Sequence, residues 1–393
     1  VADPYGVHNL PYGSFSTGGG APRLGVRYGD AVLDVAAALP PSGARAEALR
    51  SLDALLAAGP AVWREVRAAL QDLLTGSAVP AEHLHPLEGV RLHLPFTVAD
   101  YVDFYASEQH ASNVGRILRP GQDPLPAAWR HLPIGYHGRS GTVVVSGTDV
   151  VRPCGQRRED DGTVAFGPTR RLDLEAELGF VVGVPTALGE PVPLERFAEH
   201  VLGVCLVDDW SARDVQAFEY VPLGPFLGKS FATSVSPWVV PLAALEHARV
   251  PPPPRDPRPL PHLDDAGTGP WGLDVRLEVL VQGTVVSRPP AAGLYWTGAQ
   301  QLAHLTSGGA SLRTGDLYAS GTVSGPAREE RGSLLELSWG GTEPVALADG
   351  TTRTYLEDGD EVVVRGTAPG PGDRVVGLGE VRGRVLPARG QPT

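Results

Sequence analysis

The apolar run Val201-Leu202-Gly203-Val204-Cys205-Leu206-Val207 constrains the chain more than any other stretch. Seven uncharged residues in a row read as a buried strand, and a buried strand needs a sheet around it. Directly after it stand Asp209, Arg213, Gln216 and Tyr220, at steps of 4, 3 and 4. That spacing predicts one face of a helix carrying all four polar groups. A solvated helix face is the ordinary meaning of such a stripe. Here, however, an acid, a guanidinium, an amide and a phenol replace the Glu/Lys pairs of a solvated face. The stiff loop Pro222-Leu223-Gly224-Pro225-Phe226-Leu227-Gly228 follows and delivers Lys229 to a fixed place.

Composition narrows the class. At 393 residues and 42% hydrophobic, the chain can form one large or two smaller cores. Its net charge of −12, with no Lys/Arg run, argues against a nucleic-acid partner. No apolar run reaches the length of a membrane span, so no membrane partner is expected. The only cysteines, Cys154 and Cys205, lack metal-ligand spacing and suit a reducing compartment, so a cytoplasmic location is expected. The 49 Gly and 38 Pro, without a repeat, imply many turns and short strands.

Residues 1–95 read as a small separate domain. Arg23–Tyr28 and Ala31–Val35 alternate apolar and polar residues around Gly29-Asp30, a hairpin pattern. Two helices are expected next, over 44–58 and from Pro60, where Val62, Val66, Leu70 and Leu73 share a face. A short strand is expected over 90–94. No acid, base or nucleophile pairing stands out here, so the expected role is docking and stability.

Residues 96–393 carry the chemistry. A strand near 100–105 precedes a helix over 107–118, which holds His110. Leu172-Asp173-Leu174-Glu175-Ala176-Glu177-Leu178 alternates strictly, which predicts a strand with Asp173, Glu175 and Glu177 on one wet face. Carboxylates side by side repel unless they are solvated or bridged by a cation. With acids from elsewhere, they suit an all-oxygen site for Ca²⁺ or Mg²⁺. A helix is expected over 193–202 and another over 297–306. Strands are expected over 273–281, 317–323, 333–339, 361–365 and 374–386, with a hairpin turn at Asp358-Gly359. The expected strand 333–339 buries Glu336 among leucines, and an acid so placed needs a partner.

Several segments together resemble the fumarylacetoacetase family of C–C bond hydrolases. They are DFYASEQHASNVG (103–115), HLPIGYHGRSGTVVVSG (131–147), LDLEAELGFVVG (172–183), DWSARDVQAFEYVPLGPFLGKSF (209–231), SPWVVP (236–241), LYASGTVSGP (317–326) and LELSWGGTEP (335–344). NLPYGSFS (9–16) is similar to the family's N-terminal module. The resemblance implies a mainly β, α+β fold: an N-terminal SH3-like β-barrel over 1–95 and a C-terminal mixed β-sandwich roll over 96–393, as a homodimer. It implies Ca²⁺ or Mg²⁺ held by Asp103, Glu175, Glu177 and Asp209, with Lys229 and Thr233 beside the metal. It further implies His110 as general base oriented by Glu336, and Arg213, Gln216 and Lys229 as catalytic cations and donors. Tyr105, Arg119, Gln216, Tyr220 and Thr322 match substrate-binding positions. Glu108 departs from the basic residue frequent in relatives, which adds charge near His110. The implied activity is hydrolysis of 4-fumarylacetoacetate to fumarate and acetoacetate, the last step of tyrosine and phenylalanine degradation.

That chemistry fits the residue types. Cleaving a β-diketone with water needs a polarised carbonyl, a base near neutral pKa, and donors for the oxyanion and leaving carbanion. Arg119 and the tyrosines suit the terminal carboxylates of such a substrate. The alternatives are a related acylpyruvate or diketo-acid hydrolase, a decarboxylase or isomerase of β-keto acids, or a scaffold protein with a structural metal.

Overall fold

The structure is a computed structural model and describes residues 3–43, 45–76 and 79–390. The N-terminal segment forms a five-stranded antiparallel sheet that includes β1 (Tyr12–Ser16), β2 (Arg23–Tyr28) and β3 (Ala31–Asp34). Gly29 takes a φ of 58° at the expected β2–β3 turn. The expected pair of helices is a short turn at Arg45–Ala48 and the long α1 (Leu52–Gly76), broken where Gly59 has a φ of 81° ahead of Pro60. Ala44, the expected helix start, lies outside the described residues. Val62, Val66 and Leu70 are buried on one face, as their spacing requires. The expected strand 90–94 contracts to Arg91–Leu92.

The central sheet is mixed and has eight strands. In chain order its main members are β4 (Tyr101–Phe104), β5 (Gly135–His137), β6 (Val143–Val145), β7 (Ala176–Val182), β8 (Val201–Asp209), β9 (Thr233–Val235) and β10 (Leu317–Ala319). Across the sheet they run β5-β4-β10-β7-β8-β9-β6. A second sheet of five strands includes Arg276–Val281, Glu361–Pro369 and Val375–Leu386.

Every residue of β7 and β8 is buried, because both faces of the central sheet are covered. Leu178, Phe180, Val204 and Leu206 pack into the core of the C-terminal roll. Val181, Leu202, Cys205 and Val207 pack with Leu55, Leu56 and Val66 of α1 and with Leu24 and Val26 of β2. A strand buried on both sides reads as an unbroken apolar run, which accounts for residues 201–207. The mainly β, two-part architecture expected from the sequence is present, with the N-terminal sheet and helix seated on the outer face of the roll.

Five expectations are corrected. Residues 172–178 are not one strand with a wet face: Leu172–Asp173 pairs with Ser211–Ala212, the strand is interrupted at Leu174, Glu175 bridges to Ser333, and all seven residues are buried. The helix expected over 193–202 ends at His200, where β8 begins. Asp209 ends β8 instead of lying on a helix, and the following helix is only Arg213–Glu219, with Tyr220 at its cap. Residues 333–339 contain a short helix, Leu334–Leu337, not a strand. Ser333 caps it, accepting from the Glu336 N–H, and Trp339, Gly340 and Gly341 at positive φ end it. Asp358-Gly359 turns the chain, but the strands on either side of it do not pair with each other.

Candidate active site

One corner of the central sheet gathers the acids. Asp103 lies on β4, Glu177 on β7 and Asp209 at the end of β8, while Glu175 precedes β7. Ligand oxygens from Asp103, Glu175, Glu177 and Asp209 all lie within 4.8 Å of one another, and all four residues are buried. Register explains the meeting. Asp103 stands opposite Ala319 of β10, and β10 pairs in turn with β7, which carries Glu177. Asp209 is opposite Thr233, whose hydroxyl donates to Asp209 Oδ1 at 2.9 Å.

Four buried carboxylates repel one another strongly, and the side chains record it. Burial and the neighbouring charges of Asp209 and Glu175 push the Asp103 carboxyl well above its ordinary range. Burial and the charges of Asp103, Glu175 and Asp209 do the same to Glu177. Glu175 differs: burial opposes its charge, but Arg213, Lys229 and His110 outweigh it and hold the carboxyl well below the usual range. Asp103 Oδ1 and Glu177 Oε1 are buried with no hydrogen-bond partner. Orphaned carboxylate oxygens around a shared centre fit a hard divalent cation with all-oxygen ligands. Lys229 is the one ammonium in the cluster. Its Nζ contacts Glu175 and lies 2.5 Å from Asp209 Oδ2. An ammonium offers only donors, so Lys229 acts as a counter-charge beside the cation position and not as a ligand. Tyr136 donates to Asp209 Oδ2 at 3.2 Å.

His110 borders the cluster. It sits on the helix Glu108–Leu118, whose Ser107 cap accepts from the His110 N–H at 3.2 Å. Its Nδ1 lies 2.6 Å from Glu336 Oε2, and its Nε2 lies 3.3 Å from Glu175 Oε1. Glu336 also accepts from Asn113 at 2.9 Å, Ser324 at 2.8 Å and Ser333 at 3.0 Å. Burial opposes its charge, but His110, Asn113 and Ser324 outweigh this and keep its carboxyl below the ordinary range. Burial alone depresses the His110 imidazole, but Glu336 and Glu175 reverse this and raise it to about 9. Glu108 does not take part: its carboxylate pairs with Arg130.

A cavity of about 310 Å³ opens over this corner. Asp103, Tyr105, His110, Arg119, Glu175, Glu177, Arg213, Gln216, Tyr220, Lys229 and Thr322 line it; Asp209, Thr233 and Glu336 stand behind that lining. Thr322 Oγ1 is buried and unpartnered. Gln216 Oε1 accepts from Arg213 at 3.2 Å, which leaves its amide N–H groups for a ligand. Arg213 itself is committed elsewhere: its Nε donates to Asp173 and its Nη2 to Glu175, each at 2.8 Å. The sequence reading gave Arg213 a direct catalytic part, whereas its strongest contacts hold carboxylates in place. Gly321 has a φ of 76° and lies so close to β4 that a Cβ would sit 2.2 Å from the Phe104 carbonyl oxygen. Its N–H donates to Glu177 Oε2 at 3.1 Å.

Sequence reasoning missed Asn113, Tyr136, Ser324 and Ser333. Two carried a signal. Asn113 is three residues beyond His110 on one helix face. Ser333-Leu334-Leu335-Glu336 has the Ser-x-x-Glu spacing of a helix start. Tyr136 and Ser324 carried none, since only the folded chain brings them to the acids.

A mixed β-roll with an acid cluster beside a His–carboxylate pair defines a hydrolase-type site. The chain belongs to the fumarylacetoacetate hydrolase family: the family model described as Fumarylacetoacetate (FAA) hydrolase C-terminal matches residues 100–386, and Fumarylacetoacetase N-terminal matches residues 8–95. Among its relatives are the fumarylacetoacetase of Homo sapiens, 46% identical over 97% of this chain and 96% of that one, and that of Arabidopsis thaliana, 40% identical over 97% and 96%. Solved structures share the fold at low identity. A fumarylacetoacetate hydrolase from Exiguobacterium antarcticum superimposes with a TM-score of 0.56 at 19% identity, covering 97% of this chain and 100% of that one. A maleylpyruvate hydrolase from Sphingobium sp. SYK-6, in complex with manganese(II) ion and pyruvate, gives 0.53 at 16% identity, covering 97% and 100%.

Proposed function

We propose that this chain hydrolyses 4-fumarylacetoacetate to fumarate and acetoacetate. The observation that carries the reading is His110, held between Glu336 and a metal-type carboxylate at the floor of a cavity. The near-full-length similarity to fumarylacetoacetases supports the substrate. Asp103, Glu175, Glu177 and Asp209 would hold Ca²⁺ or Mg²⁺, which when bound polarises a ketone oxygen of the substrate.

The chain's own residues do the rest. Glu336 accepts from Nδ1 of His110 and fixes the tautomer, so Nε2 faces the acid corner and takes a proton from water. The water oxygen adds to the ketone carbon next to the fumaroyl alkene. The bond from that carbon to the neighbouring CH₂ then breaks. Its electron pair leaves on the CH₂ carbon as the enolate of acetoacetate, and the proton held by His110 is returned there. Lys229 and the Gln216 amide stabilise the negative oxygen that forms on addition. Arg119, Tyr105, Tyr220 and Thr322 bind the substrate's carboxylate arms. We further propose residues 1–95 as a docking domain and 96–393 as the catalytic domain, in a cytoplasmic homodimer. Among the described residues no helix is long and apolar enough to cross a membrane.

The test is a steady-state assay on fumarylacetoacetate and on acylpyruvates, with elemental analysis of wild type and Glu177→Ala. The variant is expected to lose bound metal and turnover together. Turnover of acylpyruvates alone would overturn the substrate, and equal metal content in the two proteins would overturn Glu177 as a ligand.

A further inference from the structure

Asp173 lies outside the cavity lining, is fully buried and takes its hydrogen bonds from neither the acid cluster nor His110. Its oxygens are nevertheless saturated. Oδ1 accepts from the N–H groups of Leu174 at 2.9 Å and Leu334 at 2.8 Å. Oδ2 accepts from Leu335 N–H at 3.0 Å and from Arg213 Nε at 2.8 Å. Leu334 and Leu335 open the short helix that carries Glu336. Arg213, on its other side, holds Glu175.

These contacts close a ring. His110 touches Glu336 through Nδ1 and Glu175 through Nε2. Glu336 rides on the turn bound to Asp173, and Asp173 binds Arg213, which binds Glu175. We propose that Asp173 is a positioning residue that fixes the orienting carboxylate and the metal-side carboxylate at a set separation, with the imidazole between them. The inference rests on the hydrolase reading of this site and assigns Asp173 no contact with substrate. Charge sharing gives it a second consequence. One guanidinium is divided between Asp173 and Glu175. Without the Asp173 charge, Arg213 is drawn wholly to Glu175, where it competes with a bound cation.

The test is Asp173→Asn in the full-length chain, alone and with His110→Ala. An Asn keeps one acceptor oxygen, but its NH₂ cannot accept from Arg213 and Leu335. Ca²⁺ alone is titrated by calorimetry into chelator-stripped protein, and turnover of fumarylacetoacetate is measured after reloading. Expected are a Ca²⁺ affinity weaker by about tenfold and a kcat lower by roughly 10- to 100-fold, the range for residues supporting metal ligands. KM should stay within about threefold, because no substrate contact is lost. In the His110→Ala background the Asn should lower kcat by less than it does alone. Wild-type Ca²⁺ affinity and kcat in a folded Asp173→Asn protein would overturn the proposal, as would a loss that multiplies with that of His110→Ala. If the Asn variant does not fold, Arg213→Gln decides: a neutral amide has no charge to divide between Asp173 and Glu175, so unchanged Ca²⁺ affinity there also overturns it. A wild-type chain that binds Ca²⁺ but leaves fumarylacetoacetate intact removes the hydrolase reading, while the Ca²⁺ arm still decides the role of Asp173.

Discussion

His110 meets a carboxylate with each ring nitrogen, and the two carboxylates have different work. Glu336 takes three further hydrogen bonds from side chains, so it is a fixed acceptor. Glu175 belongs to the cation cluster. His110→Ala is therefore expected to lower kcat by roughly a hundredfold or more, the scale of general-base catalysis. Glu336→Gln should lower it too, because a neutral amide stabilises the imidazolium less. In the double variant the loss should match that of His110→Ala, since Glu336 acts only through the ring. Pre-steady-state and steady-state kinetics on the four proteins check this, and multiplying losses would give Glu336 an independent role.

At the scale of elements, the loop after the helix Arg213–Glu219 forms one wall of the cavity through Leu223, Gly224 and Pro225. It is tied back by Glu219, whose Oε1 accepts from the N–H groups of Phe226 at 2.9 Å and Gly228 at 2.8 Å. Glu219→Ala is expected to raise KM about five- to tenfold, the equivalent of ~1 kcal/mol for a lost charged acceptor, with a smaller change in kcat. A fall in kcat at constant KM would instead place the effect on Lys229, one residue beyond. The element scale also shows what the sequence could tell. The β8 run, the α1 face and the helix of His110 were legible because burial imposes a period on long segments. The turn Leu334–Leu337 was not, because its run of leucines fits a buried strand as well as a short helix. Only the Ser333 cap separates the two. Asp209, Arg213, Gln216 and Tyr220 do share a site, as their spacing suggested, but for a different reason: a strand end, a helix and a cap converge there. Asp173 fell to the opposite error. Alternation grouped it with Glu175 and Glu177, and a break in the strand turned it toward Arg213.

Across the whole molecule the two parts share a core. Val181, Leu202, Cys205, Val207, Leu317 and Ala319 of the roll are covered together with Leu55, Leu56, Val66 and Leu70 of α1. Deleting residues 1–95 would expose that sheet face, and a contiguous apolar face of this kind drives aggregation. The truncated roll is expected to be insoluble or to bind a hydrophobic dye, measured by light scattering and dye fluorescence. A soluble, fully active fragment would refute a stabilising role for the N-terminal part. The separation of the proposed catalytic pair has a further consequence, for genetics. His110 and Glu336 are 226 positions apart, and the sheet strand Val375–Leu386 comes later still. A ribosome therefore has to pass Glu336 before the proposed pair can meet and activate water. Frameshifts and nonsense codons scattered along the gene should all give the same complete loss of activity, whereas a graded series of partial alleles can arise only from substitutions.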